Sequence, residues 1–279
     1  MGIDDVTLVT IETHHHELAG LALEECLKRL PFKHVCTFSD RPILDGARHV
    51  PISVITSLYD YCDLLLKSMW PFINTSHMLF MQWDAMIQNA DYWDDAYLNY
   101  DYIGAVWPWH AVGSNVGNGG FSLRSKKLLH ALRDSLIQLD PDTPDGIAED
   151  VCIGRTYRYH LESVHGINYA PTDVAAKFSF EHGDYAGSFG IHAIWNVFRF
   201  MPDAVVNSYV EKLPAAVFEK ADTMCLALAS LANRGRLDLI EYITETLRHK
   251  HTCSRVKDLI QQAEIPHKNF IIERLACQQ

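Results

Sequence analysis

No run in this chain is apolar over the ~18 residues that a membrane-crossing helix needs. The opening Met1-Gly-Ile-Asp-Asp5 is acidic, which does not read as a secretory signal, and it fits a myristoylation signal poorly. A basic stripe is missing too. Lys and Arg number 24 against 35 Asp and Glu, a formal charge of -11 that repels a phosphate backbone and argues against DNA or RNA as a partner. The seven cysteines (Cys26, Cys36, Cys62, Cys152, Cys225, Cys253 and Cys277) form no CxxC pair. That spacing argues against a disulfide framework or a zinc knuckle, so buried thiols in a reducing cytoplasm are the expectation. The glycines spell neither GxGxxG nor a P-loop, since no Gly-Lys-Ser/Thr follows them.

What is present is enough apolar material for a core, 48% of 279 residues, which suits one large domain or one domain with an appendage. Val6–Ile11 reads as a strand, Leu18–Leu30 as a helix closed by Pro31, and His34–Phe38 as a second strand. This alternation predicts an α/β sheet. Ser57–Trp70 reads as a helix, Met78–Trp83 and Tyr102–Val106 as strands, and Phe121–Leu123 as a short strand before a helix over Ser125–Leu139. Asp140–Gly146 carries every turn signal, and a helix follows from Ala148 to about His160. After about residue 210 the periodicity is helical, with segments Ala215–Ala232, Leu237–His249 and Cys253–Ala263. The expected division is a catalytic region 1–210 and a helical region 211–279, whose apolar faces predict packing on the catalytic region or on a second copy.

Three acidic or glycine-rich constellations carry chemistry. Asp84 follows the most buried-looking strand, where open α/β sheets bind ligands, and a lone carboxylate there can hold a divalent cation against two phosphates. It can equally cap the segment Ala85-Met-Ile87. Gly113-Ser-Asn-Val-Gly-Asn-Gly-Gly120 holds four glycines, more than a plain turn needs, and lets backbone approach a ligand closely; a hairpin turn is the simpler account. Glu149-Asp150 can place a general base at a helix start, or can merely favour the helix dipole. Arg124, Lys126 and Lys127 are the densest basic cluster before the C-terminal region and suit a nucleotide phosphate. His192, among aromatics, suits Mn²⁺ or a packed core.

Taken in order, Gln82-Trp-Asp84, Tyr102-Ile-Gly-Ala-Val-Trp107, Val116-Gly-Asn-Gly-Gly-Phe-Ser-Leu-Arg-Ser125, Glu149-Asp-Val151 and Phe189-Gly-Ile-His-Ala193 resemble the DUF5672 family over roughly residues 1–200. That family is similar to GT-A glycosyltransferases, which implies a GT-A-like nucleotide-binding sheet flanked by helices, with the C-terminal helical appendage outside the resemblance. The resemblance implies that Asp84 is the last aspartate of a metal-binding DxD, with Gln82 where the first aspartate would stand. It implies His192 as the second metal ligand, Asp150 as the base of an inverting enzyme with Glu149 its neighbour, and Thr10, Glu12, Thr13 and Asp40 as nucleoside contacts. Gly119, Gly120 and Arg124 would complete the donor site.

The function expected is therefore transfer of a sugar from a nucleotide-sugar donor, UDP-linked, to a glycan or small-molecule hydroxyl, assisted by Mn²⁺ or Mg²⁺, in the cytoplasm. Two rivals are a nucleotidyltransferase, which would release pyrophosphate, and a binding module without turnover.

Overall fold

The computed structural model of the protein describes residues 3–143, 145–246 and 250–276. Met1 and Gly2, Pro144 of the expected turn, the end of the helix expected to reach His249, and Cys277 lie outside the described residues. The chain divides into two compact units, Met1–His192 and Ala193–Gln279, so the division precedes the change of periodicity near residue 210.

The first unit opens with β1 (Val6–Ile11), α1 (His16–Arg29), β2 (His34–Ser39) and β3 (Arg48–Pro51). Then come α2 (Leu58–Lys67), β4 (His77–Met81), β5 (Met86–Ile87), β6 (Tyr102–Val106), β7 (Val116–Ser125) and α3 (Lys126–Ala131). The unit closes with α4 (Glu149–Val151), α5 (Arg158–His165), α6 (Thr172–Phe178), β8 (Ser179–Phe180) and β9 (Gly190–Ile191). Six strands form one sheet in the order β3-β2-β1-β4-β7-β6. β3, β2, β1 and β4 run parallel, while β7 is antiparallel to both β4 and β6. The protein is thus α/β, a parallel-dominated sheet flanked by helices. β1 and β4 are buried along their whole length, which is why neither shows the apolar–polar alternation of a strand with one wet face: the threonines of β1 and His77 of β4 are buried with their neighbours. Val9, Phe38, Phe80 and Leu65 share one core cluster, so α2 covers one face of the sheet.

The register fixes where ligands can meet the sheet. Phe121 of β7 pairs with Met81, and Ser125 pairs with His77. The amino end of β7 therefore lies beside the carboxyl end of β4. Glu12, Gln82 and Asp84 follow their strands at that end, and the Gln82 amide donates to the Gly120 carbonyl of β7 at 2.9 Å. A small second sheet, β5-β9-β8, brings the chain after β9 back beside the segment that follows Asp84.

Several local expectations change. β4 ends at Met81, ahead of Trp83. The glycine string divides: Gly113 lies in the exposed turn before β7 at φ 93°, whereas Gly117, Gly119 and Gly120 lie in the buried first half of β7. The helix expected over Ser125–Leu139 stops at Ala131, because Lys67 Nζ from α2 takes the carbonyls of Leu132, Asp134 and Ile137 and holds the next residues in tight turns. The helix expected over Ala148–His160 is interrupted by a π turn at Cys152–Thr156.

The second unit is helical among its described residues: α7 (Ile194–Phe200), α8 (Asp203–Lys212), α9 (Ala221–Asn233), α10 (Leu237–Thr246), α11 (Lys250–Gln262) and α12 (Lys268–Leu275). α9 buries Met224, Ala227, Leu228 and Leu231, and Gly235 at φ 71° lets the chain turn into α10. No helix among the described residues is long and apolar enough to cross a membrane.

Candidate active site

A cleft of about 260 Å³ opens at the carboxyl ends of β1 and β4, lined by Glu12, Thr13, His15, Leu58, Tyr61, Gln82 and Trp83 among others. Its wall after β1 is shaped by Glu12, whose carboxylate accepts the amides of His14 and His15 at 2.7 and 2.9 Å. Thr13 Oγ1 accepts the Ile55 amide at 3.1 Å and fixes the facing segment. His15 packs edge-on against Trp83, with ring centroids 5.3 Å apart. Thr10 is buried inside the sheet, and Asp40 pairs with His16 at 2.6 Å; neither lines the cleft.

At the cleft floor Gln82 links two groups. Its amide nitrogen donates to Tyr61 Oη at 3.0 Å, and its Oε1 lies 3.0 Å from His192 Nε2. Asp84 Oδ1 lies 3.6 Å from the same nitrogen. On the other edge of the ring, Glu181 Oε1 is 3.2 Å from Nδ1, and Glu181 Oε2 accepts Asn118 Nδ2 at 2.7 Å. Burial alone would lower the His192 pKa, but Asp84 and Glu181 outweigh it and hold the ring well above the ordinary histidine range. Gln82 Oε1 and Asp84 Oδ1 both lie within 3.6 Å of His192 Nε2. Two oxygens and an imidazole suit Mn²⁺ or Mg²⁺ completed by phosphate oxygens. Glu181 is placed as the carboxylate that would orient a metal-ligating histidine from behind. The donor set fits a divalent cation once His192 gives up the proton that Asp84 and Glu181 favour.

Asp150 sits across the amino end of β7. Its Oδ2 accepts the Gly119 amide at 3.2 Å and its Oδ1 accepts the Val151 amide at 2.8 Å. Burial, and then the charge of Glu149 next to it, push its pKa up to about 7. Glu149 is differently placed. Its Oε1 takes Arg124 Nη2 at 2.5 Å, and Arg124 has no exposed surface. The guanidinium lies between Phe80 and Tyr102, 5.2 and 5.7 Å from their ring centroids, and its Nε donates to Ser122 Oγ at 2.9 Å.

That geometry corrects the basic cluster. Arg124 is spent inside the protein and cannot reach a donor phosphate. Lys127 reaches Asp101 at 3.1 Å and the Gly166 carbonyl, at the end of the sheet opposite Asp84. The glycines also have a different reason than ligand approach. A Cβ on Gly119 would lie 2.3 Å from Glu149 Oε1, and one on Gly120 would lie 2.2 Å from His192 Nε2. The strand is bare so that the protein's own carboxylates and imidazole can close on it. Asn118, Glu181, Ser122 and Tyr61 are parts of the site that the sequence reading leaves out. Asn118 and Ser122 carry a signal, their place inside the Val116–Ser125 motif.

Among solved structures, the chain is similar at a TM-score of 0.45 and 12% identity to a glycosyltransferase involved in the glycosylation of the major capsid of PBCV-1, over 74% of this chain and 98% of that one. It is similar at 0.45 and 13% to the galactosyltransferase LgtC in complex with donor and acceptor sugar analogs, over 74% and 100%. GlyE of Streptococcus pneumoniae, a glycosyltransferase, gives 0.46 and 10% over 74% and 63%. No curated protein sequence matches the chain. Residues 46–192 match the family model described as "Protein of unknown function (DUF5672)", more than half of the chain, and the protein belongs to that family.

Proposed function

We propose that the protein is a metal-assisted glycosyltransferase with a GT-A-like sheet, moving a sugar from a nucleotide sugar to an acceptor hydroxyl with inversion. The observation that carries this reading is Asp150. A carboxylate raised to about 7 is half ionised at neutral pH, matched to take a proton from a hydroxyl as it attacks. The Gly119 and Val151 amides fix its two oxygens, and the pairing of Glu149 with Arg124 keeps the neighbouring carboxylate from competing for that role. The resemblance of Gln82-Trp-Asp84 and of Phe189-Gly-Ile-His192 to a metal-binding pair supports a cation held by Asp84 and His192, with Gln82 beside them. Such a cation neutralises charge on a departing nucleoside diphosphate. The cleft between the Glu12–His15 segment and Trp83 would take the nucleoside, a UDP donor being the expected one. Glycan or small-molecule hydroxyls are the expected acceptors, and the cytoplasm the expected compartment.

A screen of nucleotide sugars with Mn²⁺, read as release of the nucleoside diphosphate, tests the activity; pyrophosphate release would point to a nucleotidyltransferase instead. Asp150→Asn should lose about 10²–10⁴-fold in transfer while binding donor normally. Transfer at the parent rate by Asp150→Asn would sink the mechanism. Donor binding without any turnover by the parent would leave a binding module.

A further inference from the structure

At the far end of α2 a second cluster of metal-ligating groups has no part in the chemistry above. α2 begins at the cleft with Leu58 and ends at Lys67, about 15 Å further along its axis. There, Asp134 Oδ2 lies 2.9 Å from His160 Nε2 and 2.9 Å from His165 Nε2. The two imidazoles are edge to face, centroids 5.3 Å apart, with both Nε2 atoms turned to one point. Residues five apart sit about 140° around a helix from each other, so His160 and His165 do not share a face by spacing alone. They meet on Asp134, at the last turns of α5 before Gly166 at φ 63° takes the chain out of the helix. The third donor is equally fixed. Asp134 Oδ1 accepts the Leu136 amide at 2.9 Å, and Lys67 Nζ holds the Asp134 carbonyl at 3.0 Å.

We propose that Asp134, His160 and His165 bind a transition-metal ion of the zinc class, fastening the end of α5 to the turns after α3. Two histidines and one carboxylate with an open fourth position are a zinc donor set. Bonds of 2.0–2.1 Å at the tetrahedral angle put donor atoms about 3.3 Å apart. The two carboxylate–imidazole separations of 2.9 Å are a few tenths of an ångström short of that, and all three donor atoms lie within 4.8 Å of one another. The three side chains are 19 to 26% exposed, enough to admit an ion and a water from one side. The amide and ammonium contacts behind Asp134 are the outer support that metal ligands require. Zinc there would brace the segment that carries Glu149 and Asp150 from its other end. The site stands whether or not the protein transfers sugars.

Cobalt is the probe, because its visible bands report coordination. The full chain, stripped with chelator and carrying Asp84→Asn to silence the cleft, should bind one equivalent of Co²⁺ with the intense bands of a four-coordinate ion, and zinc should displace it. His160→Gln and His165→Gln, each checked by circular dichroism, should weaken cobalt by more than the 10–100-fold that outer-shell partners typically contribute. Absence of cobalt binding in the parent, or unchanged affinity in a folded His165→Gln, would overturn the proposal and leave two histidine–carboxylate hydrogen bonds. If a variant does not fold, diethyl pyrocarbonate labelling of the parent decides the matter. Zinc should protect both imidazoles, and equal labelling with and without zinc would overturn the site.

Discussion

The two ends of the six-stranded sheet treat charge in opposite ways. At the amino ends of β1 and β4, ionised groups are surrounded by donors. Asp101 takes Ser125 Oγ at 2.6 Å, Lys127 Nζ at 3.1 Å and the Asn168 amide at 2.8 Å. Asp5 takes the Ser76 amide at 3.0 Å, and the Ser76 hydroxyl and amide hold its pKa below the usual range. At the carboxyl ends, like charges crowd. Asp150 stands beside Glu149, and Asp84 and Glu181 flank a single imidazole. One end is arranged for stability. The other keeps electrostatic tension that a ligand, a proton or a cation relieves, as expected where chemistry is done.

The sharpest test of that contrast lies within one dipeptide. Asp150→Asn should lose transfer by the factor given above and yet raise the melting temperature at pH 8, because it removes a carboxylate that folding desolvates. Glu149→Gln should do the reverse to the fold. It leaves Arg124 buried without its counter-charge and should cost about 3–5 kcal/mol, read as a shift in denaturant midpoint. Equal stability losses for the two variants would erase the distinction. A smaller effect comes from Gly120→Ala. Its Cβ would meet His192 at 2.2 Å, so overpacking of about 1–3 kcal/mol is expected, together with weaker Mn²⁺ binding by calorimetry. Unchanged stability and metal affinity would mean the strand can move aside.

The smallest predicted effect is in the pH profile. The folded pKa of Asp150 is raised to about 7, so the folded state keeps a proton that the unfolded chain has already lost; this group makes stability fall from about pH 4 to about pH 7 and then level off. Asp5 is lowered, so its contribution is present above the ordinary carboxylate pKa and is lost as pH falls through the folded value. Melting curves from pH 3 to 8 should show Asp150→Asn flattening the neutral-side decline and Ser76→Ala reducing the acid-side loss. Identical slopes in parent and variants would sink the assignment.

Much of the frame is legible from residues alone. β1 is a run of six apolar or β-prone residues and forms the strand expected, and Asp84 follows β4 at the sheet end where ligands bind. The resemblance implies that Asp84 and His192 share a site, but not the contact of Gln82 with His192, 110 residues apart, because no local pattern encodes a contact across two sheets. Arg124 misled because a basic residue near a glycine string looks the same whether it faces phosphate or a buried glutamate. Its position on β7, between Phe80 of β4 and Tyr102 of β6, is decided by strand order, which periodicity does not reveal. The zinc-class trio was invisible for a related reason. His160 and His165 have the wrong spacing for one helical face and meet only at a helix end.

Between Asp150 and α5 lies the π turn Cys152–Thr156, in which the Tyr157 amide reaches back to the Cys152 carbonyl at 3.0 Å. Such a turn holds one residue more than an α-helical turn. A wide turn of this kind takes up its extra residue locally, so the chain on either side keeps its angular phase. Glu149 and Asp150 before it and His160 after it are therefore each placed by their own contacts. In comparing homologues, a one-residue gap within Cys152–Thr156 would leave the Glu-Asp pair facing β7.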